Sequence, residues 1–102
     1  MIDLEILDAT EIVPVMLEHY TGTRGLASMR DYVIENFTQE IIFEAIKKMY
    51  FALIPISQAK DDTPDGIRGD NIRDDMDIIW YALDDNHRGL INKWLKEGGD
   101  MR

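Results

Sequence analysis

Cysteine is absent from the 102-residue chain, which excludes a disulfide scaffold, a thiolate metal site and a cysteine nucleophile together. Basic residues are few: 11 Lys and Arg stand against 20 Asp and Glu, for a formal net charge of −9. A field of that sign repels nucleic acid, so direct DNA or RNA binding is not expected. No apolar run approaches the roughly 18–20 residues of a membrane span, and the first residues show neither the basic flank nor the apolar stretch of a secretion signal. The expectation is a soluble, cytoplasmic protein. Histidine occurs only as His19 and His87, far apart and outside any motif, and each reads as structural. Serine is scarce as well. Ser28 and Ser57 lack a G-x-S-x-G setting, and no G-x-G-x-x-G or Walker loop is present. Nothing here calls for a cofactor.

What is there is globular composition, 45 % hydrophobic and 30 % charged, fitting one helical domain over residues 1–102. Met1–Leu7 alternates apolar and acidic side chains as a short strand does, but no partner strand follows. A first helix is expected instead from near Thr10, with Pro14 in or just after its first turn. Met16, Leu17 and Tyr20 would be its buried residues and Gly22 its end. A second helix is expected from Leu26 to Asn36, with Leu26, Met29, Val33 and Phe37 at helical spacing. Thr38 has the character of an N-cap, and Phe37 and Ile42 have hydrophobic-staple spacing around it. The third helix, about Gln39–Ile54, places Ile42, Ala45, Ile46, Met49 and Leu53 on one stripe, and Pro55 stops it. Residues 56–69, with Pro64, Gly66 and Gly69, read as a long loop. A fourth helix over Asp70–Leu83 turns Ile72, Met76, Ile79 and Leu83 inward. A fifth over His87–Glu97 buries Leu90, Ile91, Trp94 and Leu95. Lys93 and Lys96 lie in its last turn and Gly98-Gly99 is its stop, with residues 99–102 a frayed tail. The fold class is all-α, a small bundle of four to five helices.

Charge is concentrated. Between Asp61 and Asp85 nine aspartates face two arginines, Arg68 and Arg73, so this stretch carries −7 of the total −9. None of the nine is Glu, although Asp is the poorer helix former by a few tenths of a kcal/mol. Asp70, Asp74, Asp77 and Tyr81 share one narrow stripe opposite Ile72, Met76 and Ile79. Such a stripe serves either as a solvated face or as a binding face for a basic protein, with Tyr81 as its aromatic anchor. The partner-binding candidates are therefore Asp61, Asp62, Asp70, Asp74, Asp77, Tyr81 and Asp84.

Two family resemblances bear on function. Ile72–Leu83 resembles the E-x-x-D helix of the MazG-like nucleoside triphosphate pyrophosphohydrolases, all-α enzymes that hold Mg²⁺ with acids from two helices. That resemblance implies Glu40, Glu44, Asp74 and Asp77 as metal ligands, although Phe43 stands where the family's first motif has an acid. Asp61-Asp62-Thr63-Pro64-Asp65-Gly66-Ile67 resembles the D-D-S-P-x-G-I segment of the colicin and pyocin DNase immunity proteins. Asp8-Ala9-Thr10-Glu11 is similar to the start of that family's first helix, and Ile91–Trp94 with Gly98 to its last helix and glycine tail. The family's paired tyrosines before the proline loop are absent, and a longer, acidic stretch follows Ile67. The family consists of small, acidic, four-helix inhibitors that block a nuclease. The resemblance thus implies inhibition or neutralisation of a basic, nucleic-acid-handling protein, directly or as a DNA mimic. Read locally, Thr63 caps a helical turn and Pro64 takes its first position. A third reading, a structural oligomerisation domain, rests on Phe51 and Ile54 beside the polar face of the third helix.

Overall fold

The computed structural model describes residues 3–99. Five helices form among them and no strand: α1 (Ile12–Met16), α2 (Leu26–Asn36), α3 (Gln39–Leu53), α4 (Pro64–Ile79) and α5 (Asp85–Lys96). Short 3₁₀ turns, Ile54–Ile56 and Trp80–Ala82, follow α3 and α4. The expected all-α bundle is the observed fold. Of the opening strand pattern, Met1 and Ile2 lie outside the described residues, and residues 4–6 form turns. The tail expected at 99–102 lies outside them too, apart from Gly99, which is buried.

α3 is the central helix. Thr38 caps it, accepting from the Ile41 N–H at 3.3 Å, and the stripe Ile42, Ala45, Ile46, Met49 and Leu53 is wholly buried, as its spacing requires. α4 packs against α2 and α3 and buries Ile72, Met76 and Ile79 in the same cluster. α5 adds Ile91, and α1 adds Ile12, Val13 and Met16.

Several boundaries differ from the sequence reading, among them the end of α4, at Ile79 rather than Leu83. α1 ends at Met16, before Tyr20. Three of its five residues are β-branched, a fourth is Pro14, and Glu11 provides no side-chain cap, so little propensity remains to carry it further. Tyr20 is instead half-buried in the segment after α1, donating to the Thr23 carbonyl and meeting Tyr32 edge-on at 5.3 Å. Residues 56–69 are not one long loop, because α4 begins at Pro64. Thr63 accepts from the Gly66 N–H at 3.1 Å and donates to the Lys60 carbonyl at 2.6 Å, so the glycines fall inside a capped helix. α5 begins two residues early, at Asp85, because Asp84 is its cap. Leu26, 57 % exposed, and Leu90 lie outside the core, since α2 and α5 each bury only one residue fully.

Polar ties fix the bundle's corners. Arg68 on α4 grips Asp8 with two hydrogen bonds of 2.8 Å, and Thr10 donates to the same carboxylate through both its hydroxyl and its N–H. The bidentate guanidinium holds the Asp8 carboxyl far below the usual carboxylate range. Gln39 bridges the other end, donating to the Ala82 carbonyl and accepting from the Asp84 N–H, both at 2.9 Å.

Gly66 is the most tightly enclosed glycine among the described residues, because a Cβ there would run into the Lys60 carbonyl oxygen. Gly66→Ala is therefore expected to destabilise by about 3 kcal/mol, through forced opening of the 60–66 turn. Thr63→Ala is expected to cost about 1 kcal/mol and Thr63→Ser almost nothing. Urea unfolding of the three variants measures the differences.

Candidate functional site

The acidic stretch divides by environment. Asp70, Asp74 and Asp77 are exposed along α4, on the side away from buried Ile72, Met76 and Ile79. Asp70 is partly neutralised, since Arg73 donates to it at 3.1 Å while also donating to the Ser57 carbonyl at 3.3 Å. Asp74 and Asp77 take part in no hydrogen bond or ion pair among the described residues, nor do Asp61 and Asp62, exposed in the segment before α4. Tyr81 is 62 % exposed but lies past the end of α4, in the second 3₁₀ turn, where the Arg88 guanidinium sits 5.5 Å from its ring centre. Arg88 also pairs with Asp85 and donates to the Leu83 carbonyl at 2.8 Å.

Asp84 has a local occupation. One carboxylate oxygen accepts from the His87 N–H at 2.8 Å and lies 2.7 Å from the ring Nδ1. These hydrogen bonds, the backbone one foremost, lower its pKa. The His87 ring meets Phe43 edge-on at 5.6 Å, a joint between α3 and α5. Of the candidate acids, Asp61, Asp62, Asp74 and Asp77 are exposed and unpaired among the described residues, while Asp70 and Asp84 are engaged within the fold.

The carboxylates of the metal reading do not converge. Among the described residues no group of three or more His, Asp or Glu side chains gathers into a cation site, so Glu40, Glu44, Asp74 and Asp77 do not form one. Glu44 is instead within 3.9 Å of Lys47, one turn along α3. Lys47 in turn stands 5.3 Å from the Phe43 ring centre and 5.7 Å from that of Trp94. Phe51 and Ile54, 48 % and 43 % exposed, do stand out from the end of α3 and the turn after it.

Periodicity missed a groove of about 460 Å³ between α3 and α4, lined by Tyr50, Leu53, Arg73, Met76, Asp77 and Trp80. Tyr50 and Trp80 meet edge-on across it, ring centres 6.3 Å apart at 83°. Burial, and then the nearby Asp77 charge, raise the Tyr50 pKa, so its phenol stays neutral. The usable signal was two aromatics flanking the apolar stripes of neighbouring helices. No helix among the described residues is long and apolar enough to cross a membrane.

Asp75, on α4 but off the exposed row, is partly withdrawn from water. Burial first and the Asp74 charge second push its pKa up to about 6. A carboxyl whose folded pKa lies above its unfolded value stabilises most when protonated, so this contribution fades as pH rises from about 4 to about 7. Asp75→Asn is therefore expected to flatten that decline and, allowing for solvent screening, to gain about 1 kcal/mol at pH 8 and little at pH 4. Thermal unfolding across that range tests it; an equal gain at both ends would assign the effect to packing. Asp8 has the opposite sign: its stabilisation is present above the ordinary carboxylate pKa and is lost in acid. No protein-family model, curated protein or solved structure matches this chain.

Proposed function

We propose that the chain is a small acidic protein-binding module whose α4 face engages and neutralises a basic, nucleic-acid-handling protein, as an immunity-type inhibitor or DNA mimic does. The observation that carries this reading is the pair Asp74 and Asp77. Both are exposed, neither has an ion-pair partner among the described residues, and both stand on a helix whose opposite side is locked into the core. Charges at i and i+3 on such a helix rise about 4.5 Å apart along its axis. They therefore form a stiff negative row, with Asp61 and Asp62 adding to the field from the preceding segment. A cationic surface is attracted to that row, while a nucleic acid is repelled by it. The likeness of Asp61–Ile67 to the DNase immunity segment supports the same class of partner.

The test is Asp70→Asn/Asp74→Asn/Asp77→Asn, which preserves side-chain size and removes three charges from one face. Relief of i,i+3 and i,i+4 repulsion offsets loss of the Asp70–Arg73 pair, so stability should change by less than about 0.5 kcal/mol. Wild type and triple variant are immobilised in parallel and exposed to native extract, and retained proteins are identified and their association rates measured. A basic protein should be retained by wild type and lost from the variant, associating at least about tenfold faster with wild type at low salt. Identical retention and rates would leave the acids as a solvated face only.

A further inference from the structure

We propose that the α3–α4 groove is the specificity pocket of this acidic face and receives an arginine side chain of the basic partner. The proposal rests on the protein-binding reading and names the chemistry at its centre. Leu53 and Met76, both 7 % exposed, form an apolar floor suited to an aliphatic stem. Tyr50 on α3 and Trp80, in the 3₁₀ turn that follows α4, supply aromatic surface on the two sides. Asp77 stands one helical turn before Trp80, so a carboxylate and an indole flank the same opening.

Arg73 and Asp77 both line the pocket, but Arg73 is bonded elsewhere, which leaves the Asp77 carboxylate without an ion-pair partner among the described residues. Arg73 and Asp77 are four residues apart and suitably spaced to pair. Yet the guanidinium donates to Asp70 and the Ser57 carbonyl instead, and no ion pair joins it to Asp77. Charge then selects among occupants. A carboxylate would meet Asp77 with Asp74 nearby, and an apolar side chain would desolvate the Asp77 carboxylate without a partner. A lysine supplies charge, but its ammonium is strongly hydrated and cannot stack. A guanidinium stacks on aromatic surface and presents a planar fork to a carboxylate, and its stem covers the floor. The neutral Tyr50 phenol is available as a further hydrogen-bonding group.

The probe is acetyl-hexa-arginine amide, with acetyl-hexa-lysine amide of equal charge as comparison. In the Trp94→Phe background Trp80 is the only tryptophan, and its emission reports occupancy of the groove. In the otherwise unaltered protein the Trp80 indole ¹⁵N–¹H resonance reads the same event. Hexa-arginine should perturb Trp80 saturably and bind about tenfold tighter than hexa-lysine. Asp77→Asn should weaken hexa-arginine about tenfold, whereas Asp74→Asn, which removes the same charge from the same face outside the groove, should weaken it no more than about threefold. Equal losses in the two variants, or equal affinity for the two peptides, would overturn the pocket while leaving the acidic-face reading intact. Binding that neither variant weakens would overturn both. Absence of any Trp80 response overturns the pocket, and the extract experiment judges the face independently.

Discussion

Burial of the Ile72–Met76–Ile79 stripe of α4 is the constraint on which the acidic surface depends. These side chains join Ile42, Ile46 and Met49 of α3 in one cluster, each at most 7 % exposed. A fully buried aliphatic side chain contributes about 1.5–3 kcal/mol, so the stripe fixes the rotation of α4 about its axis. Once that rotation is set, the positions of the aspartates follow by 3.6-residue geometry. Asp70, Asp74 and Asp77 fall in water, and Asp75 falls at the margin, where its carboxyl is partly desolvated. The strained position of Asp75 is thus the by-product of a helix that carries acids on more of its circumference than one exposed face can hold.

Local polar chemistry secures what the core leaves free. The core fixes how α4 is turned, but not where it starts. Thr63, Pro64 and Gly66 do that: the threonine caps, the proline sacrifices no hydrogen bond at the first position, and the glycine lets the Lys60 carbonyl approach. One turn later Arg68 reaches Asp8, tying α4 to the start of the chain across 60 positions of sequence. Asp8 also accepts from Thr10, so a single carboxylate orders the approach to α1 and anchors it to α4. Asp8, Thr10, Thr63, Pro64 and Gly66, among the residues that resemble the immunity-protein segments, therefore have a structural occupation here, independent of any partner.

These roles mark where sequence reasoning succeeds and fails. The stripe of α3, the limits of α2 and the Thr38 cap were legible because one strong period and one cap signal coincide there. The start of α4 is not legible in the sequence, because Gly66 and Gly69 weigh against a helix when propensity alone is considered. Only the close approach at Gly66 explains its presence inside one. The cap role of Asp84 is not legible in the sequence, because a cap and a surface charge are the same residue type, distinguished only by a neighbouring N–H. The four-carboxylate set on α3 and α4 illustrates the converse: a spacing that suits ligands within each helix says nothing about whether the two helices bring their acids together. The groove was invisible for a related reason. Helical wheels show which side of each helix is apolar, but a groove belongs to the space between two helices.

On the proposed reading, the exclusive use of aspartate in this stretch has a physical sense that glutamate would lack. Glutamate would keep the same charge and favour the helix by a few tenths of a kcal/mol per position. It would also hold the charge on a longer side chain, with more rotamers to lose when a partner immobilises it. Aspartate keeps the carboxylate close to the helix axis, in a field whose shape follows the backbone. Helix propensity is lower as a result, and the buried stripe together with the Thr63 cap restores the helix. Arginine is the natural counterpart of such a surface. Its long stem spans the distance that a short carboxylate leaves open, and its flat head can lie on the aromatic rings beside Asp77. On the reading proposed above, the choice of acid on this face would thus constrain the choice of base on a partner.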